Sequence, residues 1–237
     1  MDTSQCERFH VPGVTKIRNM IRICPSILNV DRANLVGEIA KITQSSDLLH
    51  LDIMDNKFVP NFTFTLLESE KIIKNSLLPV DAHLMVEQPE SEIPHYLNFG
   101  CASVTFHFEA TQSPNQCIEL IKSSNKRVGM AIKPRTNFSE ISNFLNQLDM
   151  LLIMTVEPGF GGQAFMSEMM PKVQEARKYL DQNHLSKIWL QVDGGITLET
   201  ISVAYEAGAD TFVAGSAVFK DPNPGDMVNK LRAKISS

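Results

Sequence analysis

An α/β fold of the (β/α)8 TIM-barrel class is what this sequence predicts, and three observations carry the prediction. Apolar strand-like runs alternate with helix-period stretches eight times. No linker, charge block or low-complexity segment divides them. The length of 237 residues suits one barrel, a fold that routinely uses about 250 residues as a single domain. Such alternation implies a parallel sheet, because parallel neighbours need a crossover connection. Eight units in about 215 residues favour closure over an open, doubly wound sheet.

The first strand is expected over 22–28, followed by Asp31 as an N-cap and an amphipathic helix to about 45, whose apolar face holds Leu35, Ile39 and Ile42. The second strand spans 48–54. A turn-rich stretch, 55–61, then leads to a helix over 66–75 and a third strand over 80–86. The period repeats with helix 90–99, strand 103–108, helix 115–124 and strand 127–132. A helix over 139–147 precedes the apolar run 150–156, a glycine-rich loop and a long helix from about Ser167. Strand 188–192, helix 198–207, strand 211–214 and helix 224–235 complete the series. Residues 1–19 show no clear period, and Met20 restarts the chain just before an apolar strand. They are expected to be a peripheral or disordered leader, with 20–237 forming the catalytic barrel domain.

Composition narrows the function. With 43% hydrophobic and 21% charged residues the chain has an ordinary globular make-up. A net charge of −5 argues against a broad nucleic-acid surface, while leaving room for a local pocket that takes a phosphorylated metabolite. No apolar run approaches a membrane span, and the first residues lack a secretory signal. Cys6, Cys24, Cys101 and Cys117 are widely spaced and read as reduced thiols, so a cytoplasmic protein is expected.

In a barrel of this class the active site lies at the C-terminal ends of the strands, so polar residues there are the candidates. Strand two reads Leu49-His50-Leu51-Asp52-Ile53-Met54, which places His50, Asp52 and Met54 on one face and three aliphatic residues on the other. Alone, His50 and Asp52 read equally well as a buried structural pair. Strand three puts Asp81, His83 and Met85 on one face, and strand seven ends in Asp193-Gly194-Gly195. Taken together, His50, Asp52, His83 and Asp193 converge from three strands as a ligand set for one divalent metal ion; Zn2+ is the first expectation, with Mn2+, Fe2+ and Co2+ as alternatives. A charge-compensated polar network without metal is the competing reading.

After strand six comes Val156-Glu157-Pro158-Gly159-Phe160-Gly161-Gly162-Gln163, where three glycines let backbone N–H groups approach a ligand. With Gly194 and Gly195 after strand seven, and Gly215 and Ser216 after strand eight, the late loops match the arrangement of the phosphate-binding type of barrel. Ser26, ending strand one, is a candidate for a hydrogen bond to substrate. Met54, Met85 and Met154 are either core or a dry lid that excludes water. His107, Glu109 and Lys133 end strands four and five and read as supporting or rim residues.

Six segments carry a resemblance to the ribulose-phosphate 3-epimerase family: Cys24-Pro25-Ser26-Ile27-Leu28; Leu49 to Asp55 with Phe58-Val59-Pro60-Asn61; His83-Leu84-Met85-Val86; Met154 to Gln163; Val192-Asp193-Gly194-Gly195-Ile196; and Ala214-Gly215-Ser216-Ala217. The resemblance runs from about Ile23 to Pro222. It implies an isomerase that converts D-ribulose 5-phosphate to D-xylulose 5-phosphate in the pentose phosphate pathway, with a divalent metal. It also implies Asp52 and Asp193 as the acid/base pair and His50, Asp52, His83 and Asp193 as metal ligands. Substrate contacts are implied at Ser26, His83, Gly159, Phe160, Gly161, Gly162, Gly194, Gly195, Gly215 and Ser216. Two departures stand out: Asn56 where the family commonly has glycine, and Asn29-Val30-Asp31 in place of Ser-Ala-Asp. The expected partners are a small-molecule sugar phosphate and further copies of the chain, with neither nucleic acid nor membrane. A 3-epimerase of another ketose phosphate, a metal-dependent hydrolase and a non-catalytic sugar-phosphate sensor are the alternatives.

Overall fold

The structure, a computed structural model, describes residues 20–236; the expectation of a peripheral leader at 1–19 falls outside the described residues. Eight parallel strands form one sheet: β1 (Arg22–Cys24), β2 (Leu49–Met54), β3 (Val80–Met85), β4 (Ser103–His107), β5 (Arg127–Ile132), β6 (Met150–Met154), β7 (Trp189–Asp193) and β8 (Thr211–Val213). Their spatial order is β1-β8-β7-β6-β5-β4-β3-β2. The circle closes where Ser26 and His50 form a parallel bridge, with His50 N–H donating to Pro25 O (2.9 Å) and Ile27 N–H to His50 O (3.3 Å). The predicted (β/α)8 barrel is the observed fold.

Alternation explains its layers. Leu49, Leu51 and Ile53 of β2 are buried in the main core, whereas His50, Asp52 and Met54 face the barrel interior. Each fully buried aliphatic chain stabilises the fold by roughly 1.5–3 kcal/mol, so a one-residue register slip would be severely unfavourable. Helices α1 (Leu35–Ala40), α2 (Leu66–Asn75), α3 (Pro89–Phe99), α4 (Pro114–Ser123), α5 (Met170–Gln182), α6 (Thr200–Ala207), α7 (Ser216–Phe219) and α8 (Pro224–Ser236) cover the outside. A capping box starts α2: the Thr65 hydroxyl accepts from Glu68 N–H, and the Glu68 carboxylate accepts from Thr65 N–H.

Several elements differ from the sequence expectation. Strand β1 ends at Cys24, because Pro25 has no N–H for the ladder. Helix α1 stops at Ala40, and the turns beyond it carry Thr43 and Ser45 hydroxyls bonded back to Ile39 O and Ile42 O, a competition that loosens helical structure. The crossover after β5 is two 3₁₀ segments, Phe138–Glu140 and Ser142–Gln147, in place of an α-helix. The short α7 follows Gly215 directly, where the sequence predicts a loop. Cys24, Cys101 and Cys117 are buried free thiols. No described helix is long and apolar enough to cross a membrane.

Candidate active site and metal centre

Parallel register brings the ligand candidates together. His50 pairs with Asp81 and Asp52 with His83 across β2 and β3, while Asp193 ends β7 on the far side of the barrel mouth. His50 Nε2 lies 3.3 Å from Asp52 Oδ1 and 3.3 Å from His83 Nδ1, and His83 Nδ1 lies 3.0 Å from Asp52 Oδ1. Asp193 Oδ2 stands 3.8 Å from His50 Nε2 and 3.7 Å from His83 Nδ1. All four donor atoms fall within 4.8 Å of one another, and the two histidines and Asp52 are buried.

The outer nitrogens decide what the inner ones offer. His50 Nδ1 is 3.0 Å from Oδ2 of Asp81, an ionised carboxylate that also accepts from Gln191 on Oδ2 and from Ser103 and Thr105 on Oδ1. Nδ1 therefore carries a proton, and Nε2 is the nitrogen that faces inward. His83 Nε2 is 3.0 Å from His107 Nε2, and His107 Nδ1 is 3.2 Å from Glu109 Oε2. Two nitrogens and two carboxylate oxygens thus converge, with the five edges that involve a histidine at 3.0 to 3.8 Å and all six within 4.8 Å. Bonds of about 2.0–2.2 Å in a tetrahedral zinc site imply donor edges of roughly 3.3–3.6 Å, so the four donors fit a divalent metal.

The charges are unevenly set. Burial works against a charged His50, but Asp52 and Asp81 outweigh it and raise its proton affinity well above an ordinary imidazole's. A metal ion would compete with a proton for that nitrogen. Asp52 is likewise buried, yet His50 and His83 hold its carboxyl well below the usual carboxylate range. Asp193 moves the other way: burial, reinforced by the Asp52 charge, pushes it up to about 6. Burial lowers His107 to about 4, while Glu109, despite its own burial, is held down to about 2 by bonds from His107, Thr136 and Lys133 N–H.

Above this cluster opens a cavity of about 340 Å³. All the substrate and lid candidates except His83 line it: Ser26, Met54, Met85 and Met154, then Gly159, Phe160, Gly161 and Gly162 after β6, Gly194 and Gly195 after β7, and Gly215 and Ser216 after β8. Asp52 and Asp193 line it as well, whereas His50 and His83 lie beneath, fully buried. Ser26 Oγ donates to Asp52 Oδ2 at 2.6 Å, so this candidate for a substrate hydrogen bond orients a carboxylate of the site. Met54 and Met85 pack with Val59, and Met154 packs with Ala131, Leu152 and Val156, so the methionines form two walls.

Glycine is structurally required in the loops. Gly195 has φ +67°, and a Cβ there would stand 2.5 Å from the backbone nitrogen of Phe165. Asn56 adopts φ +60°, a left-handed conformation that asparagine tolerates, which accounts for the departure noted in the sequence. Asn29 reaches Ser216, its Nδ2 3.5 Å from Oγ.

Sequence reasoning gave no role to Asp81, Asn29, Thr197 or Lys220, although the last three line the cavity. The one available signal for Asp81 was its place on the His83 face of strand three.

Residues 22–219 match the ribulose-phosphate 3 epimerase family. A ribulose-phosphate 3-epimerase from Mycobacterium leprae is 43% identical over 215 residues, covering 91% of this chain and 95% of that one. Its counterpart in Bacillus subtilis is 37% identical over 214 residues, covering 90% and 99%. Among solved structures, a 3-hexulose-6-phosphate synthase superposes with a TM-score of 0.69 at 17% identity, covering 91% of this chain and all (100%) of that one. A 3-keto-L-gulonate-6-phosphate decarboxylase from Vibrio cholerae gives 0.69 at 12%, covering 92% and 98%; at such identities the likeness is one of fold.

Proposed function

Because this chain belongs to the ribulose-phosphate 3-epimerase family and is an isomerase, we propose that it interconverts D-ribulose 5-phosphate and D-xylulose 5-phosphate by proton transfer at C3 between two carboxylates, with one divalent metal ion per subunit. The observation that carries the mechanism is the opposed pair Asp52 and Asp193, unequally charged, at the floor of the cavity.

Inverting a carbon beside a ketone means taking its proton from one face and returning one to the other. Asp52, held ionised beside His50 and His83, accepts the proton; Asp193, whose environment favours its protonated form, delivers one from across the mouth. In the reverse direction the roles exchange. The Ser26 hydroxyl fixes the Asp52 carboxylate through Oδ2, leaving Oδ1 toward the histidines. A divalent metal held by His50, Asp52, His83 and Asp193 would supply Lewis-acid stabilisation of the enediolate's negative charge. Zn2+ is our first choice, with Mn2+, Fe2+ and Co2+ compatible with the same donors.

The late loops are assigned to the substrate phosphate: Gly159 to Gly162, Gly194, Gly195, Gly215 and Ser216 all line the cavity, in loops of the kind that present backbone N–H groups to an anion. Phe160 lines the same cavity, and the methionines limit water at the reacting carbon. We read the barrel as one catalytic domain of a homo-oligomeric, cytoplasmic enzyme.

Turnover of ribulose 5-phosphate in deuterated water tests the reading. Xylulose 5-phosphate carrying deuterium at C3 is the expected product, and formation of inorganic phosphate or no turnover refutes it. Asp193→Asn is expected to abolish that exchange with the fold intact; near-normal exchange would exclude the two-carboxylate mechanism.

A further inference from the structure

His107 and Glu109 lie outside the four metal-donor residues, and both are more constrained than rim residues need be. His107 is fully buried, stacked at 5.0 Å between ring centroids on His83 and flanked at 5.0 Å by Phe58. Glu109 is an acceptor on both oxygens: Oε1 takes Lys133 N–H at 2.7 Å and the Thr136 hydroxyl, and Oε2 takes His107 Nδ1. An ionised carboxylate cannot donate, so the proton in the last bond belongs to His107 Nδ1. His107 Nε2 then carries a lone pair. It lies 3.0 Å from His83 Nε2, and that contact is a hydrogen bond only if His83 Nε2 holds the proton. With the opposite tautomer of His83, two lone pairs would face each other at that distance.

We propose that Glu109 and His107 are positioning residues for the metal centre, a two-step relay that keeps an acceptor on the Nε2 proton of His83 and so leaves its Nδ1 to the metal. The inference rests on the metal-centre reading given above. It also makes the two histidines a matched pair of opposite tautomers: Asp81 sets His50 directly, and Glu109 sets His83 through one intervening imidazole. Partners of this kind orient a ligating imidazole and raise its basicity.

Glu109→Gln tests the relay without changing side-chain shape. A glutamine has one acceptor oxygen, and two donors, Lys133 N–H and Thr136 Oγ1, hold it at the Oε1 position. Its NH₂ then faces His107 Nδ1 and reverses the relay. Long-range ¹H–¹⁵N spectra of the metal-free protein are expected to show His107 protonated at Nδ1 in the wild type and at Nε2 in the variant. Zinc affinity, measured by competition with a chromophoric chelator, is expected to fall about 10- to 100-fold. His107→Gln keeps an acceptor for His83 Nε2–H and is expected to hold zinc affinity within about threefold of wild type, a rescue beyond a purely structural role. An unchanged His107 tautomer and zinc affinity in Glu109→Gln would overturn the relay. Asp193→Asn separates this from the reading beneath it: equal zinc binding by wild type and that variant would refute the metal centre, while the tautomer spectra still judge the relay.

Discussion

Asp81→Asn removes one charge from the floor of the site while keeping the side chain's outline. Asp81 is wholly buried and accepts four bonds: Ser103 Oγ at 2.7 Å and Thr105 Oγ1 at 3.1 Å on Oδ1, His50 Nδ1 at 3.0 Å and Gln191 Nε2 at 3.5 Å on Oδ2. Asparagine has one oxygen for these donors. If it faces the hydroxyls, its NH₂ meets His50 Nδ1 and drives the imidazole proton to Nε2, into the metal site. If it faces His50, the two buried hydroxyls lose their acceptor. Losing two charge-assisted bonds at about 1.5 kcal/mol each predicts a destabilisation of about 3 kcal/mol. Loss of the orienting partner predicts a zinc affinity about 10- to 100-fold weaker. Saturating zinc would then stabilise the variant by roughly 1.4–2.7 kcal/mol less than the wild type. Urea unfolding with and without zinc measures both quantities. The single tryptophan, Trp189, is a suitable probe, because it sits between the guanidinium groups of Arg22 and Arg127 at the start of β7, the end remote from the site. An unchanged midpoint together with an unchanged zinc increment would refute the assignment of Asp81 as the anchor of His50.

Gly195→Ala is expected to cost about 2 kcal/mol or more in a urea melt, since the added Cβ meets the Phe165 backbone in a left-handed turn, and to weaken inorganic phosphate binding in a calorimetric titration. Glu109 has a carboxyl lowered from 4.5 to about 2, so the unfolded chain binds more protons in that window and stability falls as the pH drops through it. Glu109→Gln is expected to reduce neutral-pH stability by about 3 kcal/mol and to flatten the loss between pH 4.5 and 2 in acid unfolding followed by circular dichroism. Chelator treatment of the protein as purified should release about one divalent ion per chain, counted by atomic emission, and abolish turnover until metal is restored.

The barrel and the primary cluster were legible because both follow from short-range periodicity. Strand alternation alone set His50, Asp52 and Met54 on one face, and the position of polar residues at strand ends supplied His83 and Asp193. The supporting contacts were not legible, because they depend on register. Asp81 reaches His50 only because β2 and β3 pair those two residues, and His107 reaches His83 because β4 is set two residues further along. Ser26 was placed near the site, but its bond to Asp52 needs the closure of β1 on β2. The 3₁₀ crossover after β5 escaped because Phe138, Ile141 and Leu145 bury themselves with a spacing that also fits an α-helix.

The closing seam of the barrel ties mechanical integrity to chemistry. Between β1 and β2 the sheet is joined by one bridge, Ser26 to His50, and those residues also clamp Asp52 and offer a donor nitrogen. A sheet that stayed zipped along its other seven joints but parted here would keep most of its packed interior and lose its reactive arrangement in the same movement. Catalysis therefore acts as a gauge of ring closure, and in rising denaturant it should fail before the tryptophan at the opposite rim registers any change.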